Sequence, residues 1–290
     1  MTLASCDSRK TAGENPFFTE WDTPHGVPPF DKILPEHFMP AFERGMSLHE
    51  AEIDAITSNK DEATFENTIL AYDDAGQMLA QTELVFGMLC AAETNDRMQA
   101  LQEQAMPLLA AHRDKIRLDD KLFVRVKEVY DRRAALGLDA EQMRLLQKTY
   151  DSFVRAGALL DAEQKARLKE INGQLSLTAV KFGNNILAEN NNFVLELKSD
   201  ELDGLPAGIR DAAREKARQM GKGDKWVFTL HKPSLIPLLT YSTKRDLREK
   251  IYKAYLNRCN NGDEYDNKQL INDFIRLRTE KAHLLGYPSY

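Results

Sequence analysis

At 290 residues the chain is long enough for one large domain or two smaller ones around a substantial core. Apolar residues make up 42% and charged residues 29%, the balance of a soluble globular protein. The net charge of -6, with no basic stretch to offset it, argues against nucleic acid as a partner, and no apolar run approaches the roughly 20 residues that a membrane-crossing helix needs.

The chain opens on Leu3-Ala4-Ser5-Cys6, which has the form of a bacterial lipobox, where the cysteine is lipidated after signal cleavage. The apolar segment that precedes such a box is missing, as in a chain trimmed of most of its leader. Residues 1–13 therefore read as a signal remnant and a polar tether, "DSRKTAGEN". The expected setting is the bacterial cell envelope or periplasm, with a lipid anchor at Cys6; a cytoplasmic protein is the alternative.

Residues 14–32 carry four prolines and several aromatics and read as an irregular arm. Phe17, Phe18, Trp21 and Phe30 either tuck into the core of the first helices or line a groove for peptides. Pro35 opens a helix where its missing N–H costs nothing. Phe38, Phe42, Met46, His49, Ile53 and Ile56 then form one stripe at steps of four and three. Thr64 is an N-cap for a helix through "ATFENTILAYDDAGQML" that buries Ile69, Tyr72, Leu79 and Phe86. A third helical stretch covers roughly 96–134, with Pro107 expected to break or kink it.

"LDAEQ" occurs at 138–142 and again at 160–164. In each copy an aspartate, Asp139 or Asp161, can cap a helix while Gln142 or Gln164 reaches back to the cap. Met143, Leu146, Tyr150, Phe153, Gly157 and Leu160 follow the first copy at helical spacing. Leu168, Ile171, Leu175, Phe182 and Ile186 follow the second. Because the surroundings do not recur, these are two helices with similar starts rather than a solenoid. Phe193 to Leu197 alternates at period two, and Lys225 to Leu230 supplies a second short strand. Between them a helix over 207–220 ends on Gly221. Two final helices are expected, one from about Ser242 through Leu247, Ile251 and Tyr255. The other starts at Asp266, with Gln269 at the capping position, and carries Leu270, Phe274, Leu277 and Leu284. The fold class is all-α, long antiparallel helices with a small two-stranded β element near 193–230. Residues 14–290 form one helical body that could divide near residue 138.

The residues alone assemble no catalytic constellation. Two histidines four apart on a helix would face one metal, but no two of the six stand at that spacing. "HEAEI" at 49–53 has the His-Glu opening of a zinc-peptidase helix, with Ile53 where the second histidine belongs, so His49 reads as a partly buried stripe residue. Cys90 reads as a small core residue, and the three cysteines form no CxxC or ligand cluster. Mixed charges such as "REKARQ" read as solvated faces, and "NGDEYDN" at 261–267 as a capped turn rather than a calcium loop.

Several phrases nevertheless stand together in a familiar order: "PEHFMPAFERGM", "TFENTI", "FVRAGALLDAEQKARLKEINGQLS", "FVLELKSDELDGLP", "LLTYSTKRDLREKIYKAYLNR" and "DNKQLINDFIRLRTEKAHLLGY". From about Asn15 to Tyr290 the chain resembles the amino-terminal half of the thimet-oligopeptidase family of zinc metallopeptidases, most of all its bacterial peptidyl-dipeptidases. The resemblance implies a helical body in which two halves flank a narrow channel that admits short peptides and releases dipeptides from their carboxyl end. It places the HExxH helix, the zinc ligands and the general-base Glu in a second half, whose ligands have no matching positions here. Catalytic and metal residues in this chain are accordingly none, and it is expected to be inactive alone. Its implied partners are short peptides and the missing carboxyl-terminal catalytic half, with zinc bound only in the full-length parent. The alternative is a non-enzymatic helical lipoprotein that binds peptides or a partner protein.

Overall fold

The computed structural model describes residues 15–290, so Cys6 and the lipobox lie outside the described residues. Helix dominates, and the strands among the described residues are two short ones, in line with the all-α reading. None of these helices is long and apolar enough to cross a membrane. The chain divides into two compact units. One comprises the described residues up to Leu177 together with Thr279–Tyr290, and the other is Thr178–Arg278. Residue 138 falls inside the first unit.

In the first unit the arm is held by its own polar groups before it meets the core. Asn15 Oδ1 accepts from the Phe17 N–H at 3.1 Å, its Nδ2 donates to His37 O at 2.9 Å, and Trp21 Nε1 donates to Pro16 O at 2.8 Å. These bonds set Phe17 against Phe38, which in turn meets Phe42 and Phe86. Helix α1, Phe38–Ser58, buries Phe38, Phe42, Ile53 and Ile56, the ends of the expected stripe. Thr64 caps the next segment, with its Oγ1 accepting from Asn67 N at 3.1 Å and Asn67 Oδ1 from Thr64 N at 2.9 Å. That segment is not one helix, as its letters suggest. A π-helical turn, Phe65–Leu70, runs into a single turn of α2, Ala71–Asp74, and the chain breaks before α3, Gln77–Ala92.

Pro107 does not break its helix. Helix α4 continues through it from Asp96 to Arg117, and the interruption comes at Leu118–Asp119. One missing N–H in a long helix is outweighed by the burial of Ala105 and Leu109 on either side. Asp119 offers a new start, accepting from Leu122 N at 2.8 Å to cap α5, Asp120–Asp131. Both "LDAEQ" boxes close. Asp139 accepts from Gln142 N at 2.9 Å and caps α6, Ala140–Ala156; Asp161 accepts from Gln164 N at 2.8 Å and opens α7, Ala162–Asn192. Helix α6 stops short of the expected Leu160, because Gly157 takes a φ of +98° and turns the chain out of the helix. Ile53, Ile69, Leu122, Val126, Leu146 and Phe153 form one buried cluster of this unit; Phe38, Phe42, Phe86 and Leu109 belong to another.

In the second unit β1, Leu195–Leu197, pairs antiparallel with a strand 31 positions on, Leu195 facing Phe228 and Leu197 facing Trp226. Helix α8, Ala207–Gln219, lies between them in sequence, and β2 is Trp226–Phe228. Helix α9, Lys232–Tyr241, stands where no helix was expected. Pro233 sits in its first turn, where the missing N–H costs little, and Pro237 lies inside it. Leu235 and Leu238 bury against Leu195, Leu197 and Phe228. Helix α10 is Arg245–Leu256, and α11 is Lys268–Leu284. The expected capping box at Asp266 does not form. Asp266 instead accepts from Lys268 N at 2.9 Å and Gly262 N at 2.8 Å, closing the turn at 262–268 that the acidic run was read to make.

Candidate functional site

His49 was singled out by its sequence, and the structure gives it a partner from another helix. Ile53, in the place of the second zinc histidine, is 3% exposed and belongs to the core. His49 Nδ1 lies 3.0 Å from Nε2 of His112 on α4, with the two rings edge-on. Sixty-three positions separate them, so no spacing rule could have joined them.

The tautomers follow from the neighbours. Glu50 Oε1 lies 3.4 Å from His112 Nδ1, and Glu50 Oε2 takes the Lys115 Nζ at 2.8 Å. A carboxylate can only accept, so it favours the proton on His112 Nδ1 and leaves Nε2 to accept from His49 Nδ1–H. Glu52 is occupied elsewhere, accepting the Gly76 N–H at 2.7 Å. Burial lowers the pKa of both imidazoles first; the charge of His112 adds to this at His49, while Glu52, Glu50 and Glu83 oppose it there. At His112 Glu50 and Glu83 oppose it and Lys115 reinforces it.

A pH dependence follows with a definite sign. With folded pKa values below the unfolded value of about 6.5, the unfolded chain binds more protons, so stability falls as pH drops through and below that value. The melting temperature should therefore be lower at pH 5.5 than at pH 7.5, and the difference should shrink in a His49→Gln/His112→Gln variant. An unchanged difference would remove this pair as its source.

The other candidates give less chemistry. Cys90 is half-buried and its thiol is pushed up by burial. Cys259 is buried in the second unit and pushed up to about 11, by burial first and then by Glu189. Neither thiol ionises readily at neutral pH. Phe17 joins the core, with Phe18 and Trp21 packed partly against it; Phe18 and Trp21 also line an open cavity of about 640 Å³ with Gln77, Met78 and Gln81. Phe30 takes no part and is 40% exposed.

Among the described residues no group of three or more His, Cys, Asp or Glu is arranged to hold a metal ion. The His49–His112 pair spends its facing nitrogens on each other, and Glu50 and Glu52 are engaged by Lys115 and Gly76.

Residues 238–290 match peptidase family M3. The dipeptidyl carboxypeptidase of Escherichia coli K12 is 36% identical over 277 residues, covering 95% of this chain and 41% of that protein. That of Salmonella typhimurium LT2 is 34% identical over the same shares, and oligopeptidase A of Escherichia coli K12 is 26% identical over 92% of this chain and 40% of its own length. The chain thus spans about two-fifths of the length of the curated relatives it matches. Matches of this extent show that it belongs to peptidase family M3, the thimet-oligopeptidase family, aligned with the amino-terminal portion of longer members.

Proposed function

We propose that this chain is the amino-terminal, non-zinc-binding portion of a zinc peptidyl-dipeptidase, forming one wall of a channel for short peptides. The observation that carries the reading is the identity to dipeptidyl carboxypeptidase, 36% over 95% of the chain, against 26% to oligopeptidase A over nearly the same residues. The zinc, and the water it activates, belong to polypeptide beyond these residues. The test is the product of the full-length parent on an amino-blocked hexapeptide. Sequential dipeptides from the carboxyl end are expected; cleavage at internal bonds would overturn the dipeptidase assignment in favour of an oligopeptidase.

The Leu3–Cys6 sequence supports a lipid anchor at Cys6 and a place in the bacterial envelope. In cells making the parent, Cys6→Ala should move the protein from the membrane fraction to the soluble one. A Cys6 that mass spectrometry finds unmodified would contradict it.

A further inference from the structure

Helices α4, α6, α7 and α11 border a cavity of about 560 Å³ within the first unit. Five of its lining residues are cations: Arg117, Arg144, Lys148, Arg155 and Lys281. Its carboxylates are Asp114 and Asp151, in a chain whose net charge is -6. Both are already engaged. Asn172 Nδ2 donates to Asp114 at 2.8 Å, Lys281 Nζ donates to Asn172 Oδ1 at 2.7 Å, and Gln147 Nε2 donates to Asp151 at 2.9 Å.

Helix dipoles explain part of this charge and not the rest. Arg117 and Arg155 stand in the last turns of α4 and α6, where a cation is favourable. Arg144 is the fifth residue of α6, towards the end where a cation is disfavoured, and Lys148 lies one turn further on. Arg144, Lys148 and Arg155 follow one ridge of the helix, at steps of four and seven, and form no ion pair among the described residues. Burial lowers the pKa of Lys281 and raises that of Asp114; at Lys281 the charge of Asp114 opposes the burial and that of Arg117 adds to it. Like charges thus crowd a cavity that their own carboxylates do not neutralise.

We propose that this cavity binds a compact, multiply charged phosphate anion of the inorganic polyphosphate class. Arginine forks match phosphate oxygens two at a time, and the cations come from α4, α6 and α11, so one ligand could be gripped from several sides. Among the lining residues Ala156 is the lone apolar one, which leaves no surface for a nucleobase or for apolar peptide side chains. The site is independent of the peptidase reading, and its test needs no catalysis.

The experiment is calorimetric titration of the 290-residue chain with sodium tripolyphosphate at low ionic strength. One saturable site is expected, weakening as salt is added. Arg144→Gln/Lys148→Gln should weaken it about tenfold or more, since two charge-assisted contacts are lost at exposed positions. Asp151→Asn should tighten it, and ATP should bind no more tightly than tripolyphosphate itself. Arg155→Gln provides a second reduction in charge if the double variant fails to fold by circular dichroism. Absence of saturable binding, binding that the variants leave unchanged, or equal binding of a polyglutamate peptide would overturn the proposal.

Discussion

Arg125→Met should destabilise the first unit by about 2–4 kcal/mol, because it removes a charged hub and takes from the Asn59 and Asp61 carbonyls the donor they share. Arg125 lies on the buried side of α5 at 9% exposure, among apolar residues. Its Nη1 donates to the carbonyls of Asn59 and Asp61, each at 3.1 Å, and its Nη2 to Asn67 Oδ1 at 3.0 Å. Asn67 in turn holds the Thr64 cap and donates to Glu62 O at 2.9 Å. The loop between α1 and the π-helical turn is therefore tied to the middle of α5 by Arg125, while Arg132 at the end of that helix holds Glu62 and the Ala63 carbonyl.

The chain's two tryptophans provide separate probes, since Trp21 lies in the first unit and Trp226 in the second. In a Trp226→Phe background, urea unfolding followed at Trp21 should show a lower midpoint for Arg125→Met with little change in slope. Lys127→Met, whose exposed ammonium pairs with Asp131 at 2.5 Å, should leave that midpoint where it was. An Arg125→Met midpoint equal to the parent's would show that the buried hub contributes nothing net.

Gly204→Ala should be at least as damaging to the second unit. Gly204 has a φ of +81°, and a Cβ there would stand 2.2 Å from Tyr241 O and 3.0 Å from Thr243 N. Both are backbone atoms, one in the last residue of α9 and the other in the segment joining it to α10. That segment is pinned in turn, with Thr243 N donating to Asp203 O at 3.1 Å. A methyl group cannot fit unless this chain moves, so a loss of roughly 3 kcal/mol or more is expected. Gly223 gives the control. Its φ is +59° and nothing lies within 4 Å of a new Cβ, so Gly223→Ala should cost only the left-handed penalty of about 1–2 kcal/mol. The readout is Trp226 fluorescence in a Trp21→Phe background, and equal midpoints for the two alanine variants would contradict the close approach.

The sequence disclosed those parts of the fold whose causes are local. Capping at Thr64, Asp139 and Asp161 needs partners three residues away, and the letters showed them. The first strand showed its period of two, and the two segments pair antiparallel, though only Leu195–Leu197 of the first pattern and Trp226–Phe228 of the second reach a partner. The failures share an opposite cause. Pro107 and Pro237 each cost a helix interior one N–H, yet both helices run on through them with buried residues on either side. Arg125 looks like any surface arginine until the loop 66 positions earlier folds over it.

The candidate sites divide in the same way. His49 stood out by an accidental motif, but its partner His112 comes from another helix at no diagnostic spacing. The cations of the cavity beside α6 were not singled out by any motif in the sequence. The steps from Arg144 to Lys148 to Arg155 were visible in the letters, but Arg117 and Lys281 join them only in three dimensions.

The proposed division of labour, in which these residues shape a channel and others perform hydrolysis, is open to a direct measurement. The purified 290-residue chain would be dialysed against a zinc-containing buffer, assayed for bound metal, and incubated with an amino-blocked tripeptide. The proposal expects no stoichiometric zinc and no released dipeptide, with turnover appearing only in the full-length parent. Zinc-dependent hydrolysis by this chain alone would contradict it.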